Sequence, residues 1–448
     1  MGAMLLFAFP VLAILLCLAS NVRRRIDILV LAHALLHSGL GIYAYLKRGS
    51  LMGMDDLGLL IFLILSVLYA AIAFYRLGQQ DDSPLKKYRI HSIFLMIFVL
   101  AMDGAAIARD LGLIWVFVEA TTISSALLIS YSNSKKSLEA AWKYLFICSV
   151  GIALAFAGIL LLVIAQPEQA TLLISKIDIG SISPFWLKIS FVFILIGFGT
   201  KMGLAPLHFW LPDAHSEAPA PISALLSGAL LNIALLPILR VDKLMRLRGM
   251  GDIVQDLYLL MGMLSVFIAA VFVLRTKDYK RLLAYSSIEN MGLIMIAFGA
   301  GGMAYYAGFL HILGHSLIKA AFFLTAGNAL VIYQDKNYQN TGGLLKINRG
   351  TAWLWLISSA MLIGMPPSPL FTSKFLIATA LLQNGSYLYF GLLMLLLAVI
   401  SWAIFNVGLK ICLGDSERKK SLNTWLYLAP AGLLFFAALI GIFLPVMG

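Results

Sequence analysis

Residues 191–215 read Phe-Val-Phe-Ile-Leu-Ile-Gly-Phe-Gly199-Thr-Lys201-Met-Gly203-Leu-Ala-Pro206-Leu-His208-Phe-Trp-Leu-Pro-Asp213-Ala-His215. An apolar run carries a lysine and then breaks at Gly203–Pro206. Proline removes a backbone donor and clashes with the preceding turn. Non-helical backbone at membrane depth survives only inside protein or beside a wet cavity. A second such break stands at Met365-Pro-Pro-Ser-Pro369. The rest of the chain agrees with a membrane setting: 61% of its 448 residues are hydrophobic and 12% charged, against about 25% charged in globular chains.

At about 20 residues per crossing, apolar segments fall at roughly 1–20, 27–46, 57–76, 91–108, 111–131, 140–165 and 186–205, then 219–239, 253–274, 282–300, 303–333, 351–383, 387–412 and 424–447. The expectation is an all-α polytopic membrane protein with about fourteen transmembrane helices. Positive charge (Arg23–Arg25) follows the first apolar run instead of preceding it, the reverse of a secretory signal, so a retained first helix is expected. The breaks fall in helices 7 and 12. Five helices apart, they lie on opposite topological senses, which reads as two inverted five-helix repeats, the transporter plan; two independent proline kinks are the alternative. The divisions expected are 1–90 (peripheral helices 1–3), 91–250 (helices 4–8), 251–412 (helices 9–13) and 413–448 (helix 14).

Lysine and arginine set the orientation. Loops after odd-numbered helices hold 21 of the 33, loops after even-numbered helices hold 9. Both termini are therefore expected outside and the odd loops in the cytoplasm. The loop Arg240–Arg248 runs against this bias.

Several function classes drop out. The net charge of +12 comes without a basic aromatic patch, so no nucleic-acid partner is expected. Cys17, Cys148 and Cys412 are far apart in apolar runs, which argues against iron–sulfur clusters, structural zinc and a disulfide framework. No P-loop or G-x-G-x-x-G after a strand is found. No cofactor is expected on this chain, and any redox chemistry belongs to another.

Charged side chains inside apolar helices are functional candidates by default. Glu119 lies mid-helix in 111–131, and Lys201 lies just before the break, between Gly199 and Gly203, whose spacing permits close backbone approach. Two readings stand side by side: a static buried pair, or a switch. Burial favours the neutral form of a lysine and a nearby carboxylate opposes this, so withdrawing the carboxylate helps the lysine release its proton. His311, His315 and Lys319 step by four residues along one helix face over roughly 12 Å. They read as a proton wire, with interhelical hydrogen bonding as the alternative. His-x3-His without the H-E-x-x-H glutamate makes zinc a weak third reading. Glu289 and Lys374, together with Lys319, look like a second version of Glu119 and Lys201. Lys143, four residues after Glu139, is open between a surface pair and a functional role. Asp103 reads as solvated near the outer end of helix 4, and His33, His37 and His91 as structural.

The run from Lys201 to His215, continued through Ala218-Pro219 and Ser223–Gly228, with Lys280-Arg-Leu-Leu-Ala-Tyr-Ser-Ser287 and His311-x3-His315-x3-Lys319, resembles the antiporter-like proton-translocating subunits. These comprise complex I pump subunits, Mrp-type cation/proton antiporter subunits and membrane subunits of energy-converting hydrogenases. The resemblance implies that Glu119 is the coupling carboxylate, Lys201 the pump lysine, Lys319 the central relay lysine and Lys374 the terminal group. His208, Asp213 and His215 fall within its motif as supporting residues. Asn232 stands where complex I subunits usually place a lysine, and Glu289, in Ser287-Ile-Glu289-Asn290, is an acid they generally lack. With Val118-Glu119-Ala-Thr-Thr and Leu138-Glu139-Ala-Ala-Trp-Lys143, these departures resemble the hydrogenase-4 and formate hydrogenlyase branch. No long lateral helix is expected after residue 447.

The resemblance implies a proton-translocating subunit of a redox-driven complex in the cytoplasmic membrane of a prokaryote. Its partners would be membrane subunits of the same family, membrane lipid and a cytoplasmic nickel–iron and iron–sulfur module. A Mrp-like Na+/H+ antiporter subunit, a complex I (NADH–quinone oxidoreductase) pump subunit and a non-pumping membrane anchor are the alternatives. No metal site is expected.

Overall fold

The computed structural model describes residues 2–47, 53–167, 170–414 and 420–443, with side chains from Leu6 onward. Among these residues the chain is helical throughout: α1 (Gly2–Ala19), α2 (Arg23–Leu46), α3 (Asp56–Gly78), α4 (Leu85–Ile107), α5 (Leu111–Ile129), α6 (Lys135–Ile164), α7 (Pro184–Met202), α8 (Trp210–Glu217), α9 (Ala220–Leu225), α10 (Leu231–Leu247), α11 (Gly251–Val273), α12 (Tyr279–Ala300), α13 (Met303–Tyr333), α14 (Leu344–Ile347), α15 (Arg349–Ile363), α16 (Pro369–Gln383), α17 (Tyr387–Cys412) and α18 (Trp425–Phe443). A π-helical turn, Leu226–Leu230, joins α9 to α10. Twelve of the described helices are long and apolar enough to cross a membrane. The other two expected segments are α1, whose described apolar side chains run from Leu6 to Ala19, and the twelfth, which divides into α15 and α16 at 15 residues each. The end of the expected segment 424–447 lies outside the described residues.

Loop ends are fixed by short polar caps. Asp110, Ser134, Asp278, Asn348 and Ser368 each accept a backbone N–H at the start of α5, α6, α12, α15 and α16, satisfying donors that a helix start leaves orphaned. Both expected breaks are present. α7 stops at Met202, where Gly203 takes φ +82°, and α15 stops before Gly364 at φ +95°. Those conformations suit glycine, which lacks a Cβ. Gly203 thus ends the helix, and a Cβ there would run into Leu211 Cδ1. Close approach is seen also at Gly158 on α6, whose carbonyl accepts from Ser190 Oγ of α7 at 2.7 Å. The freed backbone is partnered: Ala205 N donates to Ser265 Oγ at 3.0 Å, and Ser368 Oγ donates to the Met361 carbonyl at 2.7 Å.

The chain forms two compact units: residues 1–73, 80–202 and 229–254, and residues 74–79, 203–228 and 255–448. In the first unit, Arg240, at the start of the charge-rich loop, has structural partners. Its guanidinium is only 5% exposed, forks onto both oxygens of Asp55 at 2.8 and 2.9 Å, and donates to the Ala108 carbonyl at 2.7 Å, just past α4. Arg246 pairs with buried Asp242 at 2.6 Å. Arg240 and Arg246 are thus held by carboxylate partners within the fold. In the second unit, α12 and most of α13 are buried, and this is where helices with polar residues on several faces can sit out of lipid.

Candidate functional site

In the first unit, Lys201 occupies the last turn of α7, where a cation suits the negative end of the helix dipole. It is fully buried. Its Nζ donates to Thr122 Oγ1 of α5 at 2.8 Å and to the Tyr144 hydroxyl of α6 at 2.5 Å. Thr122 in turn donates to Glu119 Oε2 at 3.2 Å, and Ser149 of α6 donates to Oε1 at 3.1 Å. Lysine and carboxylate therefore meet on one hydroxyl, not in a direct ion pair. Tyr144 continues the chain to Ser125 at 2.6 Å. A hydroxyl that accepts from one group and donates to the next can reverse its bonds as a proton moves, which makes this line chemically able to pass one.

In the second unit, Lys319 of α13 donates to the Leu283 carbonyl and, at 2.8 Å, to Ser286 Oγ of α12. Its ammonium lies 4.8 Å above the Phe323 ring, and His215 of α8 stacks on Phe323 at 4.7 Å. Both ring nitrogens of His215 and of His315 are buried and meet no hydrogen-bond partner among the described residues. His311 is held differently. Asn290 Nδ2 donates to the Ser286 carbonyl, which turns Asn290 Oδ1 toward His311 Nε2 at 2.9 Å. Nε2 must therefore carry a proton, leaving Nδ1 to meet Ser373 Oγ at 2.8 Å. Glu289 Oε1 accepts from Lys374 Nζ of α16 at 3.2 Å, and that lysine also reaches the Leu362 and Ile363 carbonyls at the end of α15. Glu289 Oε2 is buried without a partner among the described residues.

α8 is placed by two lysines at its C-terminal end. Lys280 donates to the carbonyls of Ser216 and Ala218, and Lys336 bonds Glu217 at 2.8 Å. Glu217 is half-buried; desolvation would raise its carboxyl, but Lys336 outweighs this and holds it below the usual carboxylate range.

The structure brings Glu119 and Lys201 into one network, joins Glu289 to Lys374, and sets His215 and Lys319 on Phe323. Other candidates stand apart. Lys143 pairs with Glu139 at 2.6 Å with both side chains exposed. Asp213 pairs with Arg281 at 2.6 Å, and His208 is buried against Phe209. Asn232 is buried in α10. Thr122, Tyr144, Ser149, Asn290, Ser373 and Phe323 were not singled out from sequence. The usable signal was the helical spacing of Thr122 from Glu119 and the adjacency of Asn290 and Ser373 to Glu289 and Lys374.

Fold and networks together define a polytopic α-helical membrane protein that keeps ionisable groups buried at broken helices. More particularly, residues 108–401 match the NADH:quinone oxidoreductase/Mrp antiporter transmembrane family, and the chain belongs to it. It is similar to the hydrogenase-4 component F homolog of Methylacidiphilum infernorum, 34% identical over 89% of this chain and 86% of that one. It is similar also to a Na(+)/H(+) antiporter subunit of Alkalihalophilus pseudofirmus, 30% identical over 74% of this chain and 67% of that one. A chain of the membrane-bound sulfane sulfur reductase, an archaeal respiratory membrane complex, shares the fold with TM-score 0.90 at 22% identity, covering 99% and 95% of the two chains.

Proposed function

We propose that this chain is the proton-translocating membrane subunit of a redox-driven complex of the hydrogenase-4 and formate hydrogenlyase type. The observation that carries it is the meeting of Lys201 and Glu119 on the Thr122 hydroxyl. A small movement of α5 or α7 opens or closes that bridge. With the bridge closed, Glu119 helps hold the proton on Lys201; with it open, the buried lysine loses that support and releases the proton. Lys319 and Lys374 take it onward, with His311 and His315 as intermediate stations. One charge moved against about 150 mV needs roughly 3.5 kcal/mol, within reach of a modest redox drop per proton.

The hydrogenase branch is supported by the near full-length similarity to the component F homolog. The implied partners are a cytoplasmic nickel–iron and iron–sulfur module and further membrane subunits. The implied setting is a prokaryotic cytoplasmic membrane with both chain ends outside. Similarity to the Alkalihalophilus antiporter protein favours a second reading, sodium/proton exchange without redox partners.

Gentle solubilisation of native membranes, capture of this chain and mass spectrometry of what comes with it separates the two readings. A nickel–iron large subunit with iron–sulfur partners is the expected result, and small antiporter subunits with no redox protein would sink it. NADH dehydrogenase subunits would move the chain to complex I. In the assembled complex, intact pumping by Glu119→Gln or Lys201→Met would overturn the mechanism, and flux unaffected by changes at every buried lysine would favour a non-pumping anchor.

A further inference from the structure

α2, α3 and α4 enclose a second group of titratable side chains that the network above does not use. Asp103 of α4 is fully buried, contrary to the solvated position its place near the helix end implies. Its Oδ1 lies 2.8 Å from His37 Nε2 of α2. His37 Nδ1 lies 2.9 Å from Ser66 Oγ of α3, and Ser66 spends its own proton on the Phe62 carbonyl at 2.8 Å. Ser66 therefore accepts, and His37 Nδ1 carries a hydrogen. The contact between Nε2 and Oδ1 then holds one further proton, as imidazolium with carboxylate or as imidazole with carboxylic acid. Asp103 Oδ2, the other oxygen, is buried and reaches no hydrogen-bond donor among the described residues.

A buried carboxylate oxygen without a donor is costly. A proton added at Oδ2 removes that bare anionic oxygen and leaves the Nε2–H···Oδ1 bond intact. The pair can thus change its charge by one at a defined atom with no rearrangement of partners. We propose that His37–Asp103 is a second proton-exchange site, with Oδ2 as the atom that loads and unloads.

Its surroundings add few other charges. His33, one turn before His37, meets the Tyr69 hydroxyl at 2.9 Å. Tyr69 stands edge-on to the His37 ring, and Phe62 stacks on it at 4.6 Å. α1 contributes buried Cys17 and no charged side chain between Leu6 and Ala19. From α5, Glu119 is engaged by Thr122 and by Ser149 of α6. From α10, Arg240 is committed to Asp55 and to the Ala108 carbonyl just beyond α4; Asp242 pairs with Arg246, and Lys243 lines a pocket with Asp55 and Arg109. Asp103 lies four residues before α4 ends at Ile107, about 6 Å along the axis from that end.

Loading of the site does not depend on the transport reading; its use in transport does. The test is infrared difference spectroscopy of the purified complex, pH-titrated, with carbon-13-labelled aspartate. A protonated-carboxyl band that grows as pH falls, is lost in Asp103→Asn and shifts in Ser66→Ala supports the site. A labelled-carboxyl titration identical in wild type and Asp103→Asn overturns it. If Asp103→Asn does not assemble, Ser66→Ala alone decides, since it keeps the carboxyl and changes only the partner of Nδ1; an unshifted band then overturns the site. Proton flux in the same preparations tests its use. Flux lowered in Asp103→Asn with an altered pH profile supports it, and unchanged flux beside a lost band overturns it. Lys201→Met serves as the control: loss of pumping there sustains the transport reading, and pumping intact ends that reading without touching the infrared result.

Discussion

Lys374 pairs directly with Glu289 at 3.2 Å, whereas Lys201 reaches Glu119 only through the Thr122 hydroxyl. The two lysine–carboxylate partnerships are therefore not equivalent. A direct pair is held by its own attraction in a weakly screening interior. A bridged pair depends on a side chain that neither charge controls, so it opens at lower cost. The bridged arrangement suits a switch, and the direct one suits a fixed pair.

Thr122→Val should therefore disable the proposed switch without adding or removing charge. A hydrogen bond to a charged group is worth about 1.5–3 kcal/mol, so proton flux in reconstituted complex should fall roughly 10- to 100-fold. Thr122→Ser restores the hydroxyl and should remain close to wild type. Equal flux in the valine and serine variants would refute the bridging role.

The direct pair makes a different prediction. Removing one partner of a buried ion pair strands the other at a cost of about 3–5 kcal/mol. Glu289 is 2% and Lys374 11% exposed, so Glu289→Gln and Lys374→Met should each sharply lower thermal stability in detergent. The double variant should regain most of the loss, because neither charge is then left alone. Additive losses in the double-mutant cycle would show that the two side chains do not couple.

Outside the spanning segments, Asp55 supplies the pH dependence. Desolvation would raise its carboxyl, but the Arg240 fork outweighs this and holds it below the usual carboxylate range. A depressed folded-state value stabilises above the unfolded value, about 3.9, and the benefit is lost as pH falls through the lower folded value. Asp55→Asn should therefore be less stable than wild type from pH 8 down to about pH 5, with the gap closing only below about pH 4. Since the Asp55 side chain is 42% exposed, solvent screening keeps the gap modest. Melting curves across that pH range provide the check, and a gap that widened in acid would contradict the assignment.

How much of this was legible in the residues follows from what each signal encodes. Lipid demands long apolar runs, so the segments and both proline breaks could be read directly. α8 escaped, because Trp-Leu-Pro-Asp-Ala-His-Ser-Glu is short and polar and folds as a helix only where partners such as Lys280 and Lys336 hold its end. Asp103 was misplaced because position along a helix gives depth, not the face presented, and here the face meets His37. Arg240 read only as a loop charge, because counting charges ignores partners such as Asp55. Glu119 and Lys201 were visible as rare charges in apolar helices. Thr122, which connects them, and Tyr144, which bonds Lys201, resemble the many hydroxyls that merely bond their own helix backbone. Glu289 was grouped with Lys319 and Lys374 alike; choosing between them needs contacts over 85 residues of sequence.

The last prediction concerns what holds Lys201 in place. A Cβ on Gly158 would lie 2.9 Å from both the backbone nitrogen of Ile194 and the carbonyl oxygen of Ser190 on α7. Backbone atoms cannot swing aside as a side-chain end can, so Gly158→Ala must push α6 and α7 apart. The shift would also stretch the Ser190–Gly158 hydrogen bond of 2.7 Å. Overpacking of this kind costs about 1–3 kcal/mol, and because Tyr144 on α6 and Lys201 on α7 share a bond, the displacement reaches the site. Gly158→Ala should lower thermal stability and proton flux together. Gly391→Ala, where nothing lies within 4 Å, should change neither. If Gly158→Ala lost stability but kept full flux, Lys201 would not depend on the α6–α7 contact for its position.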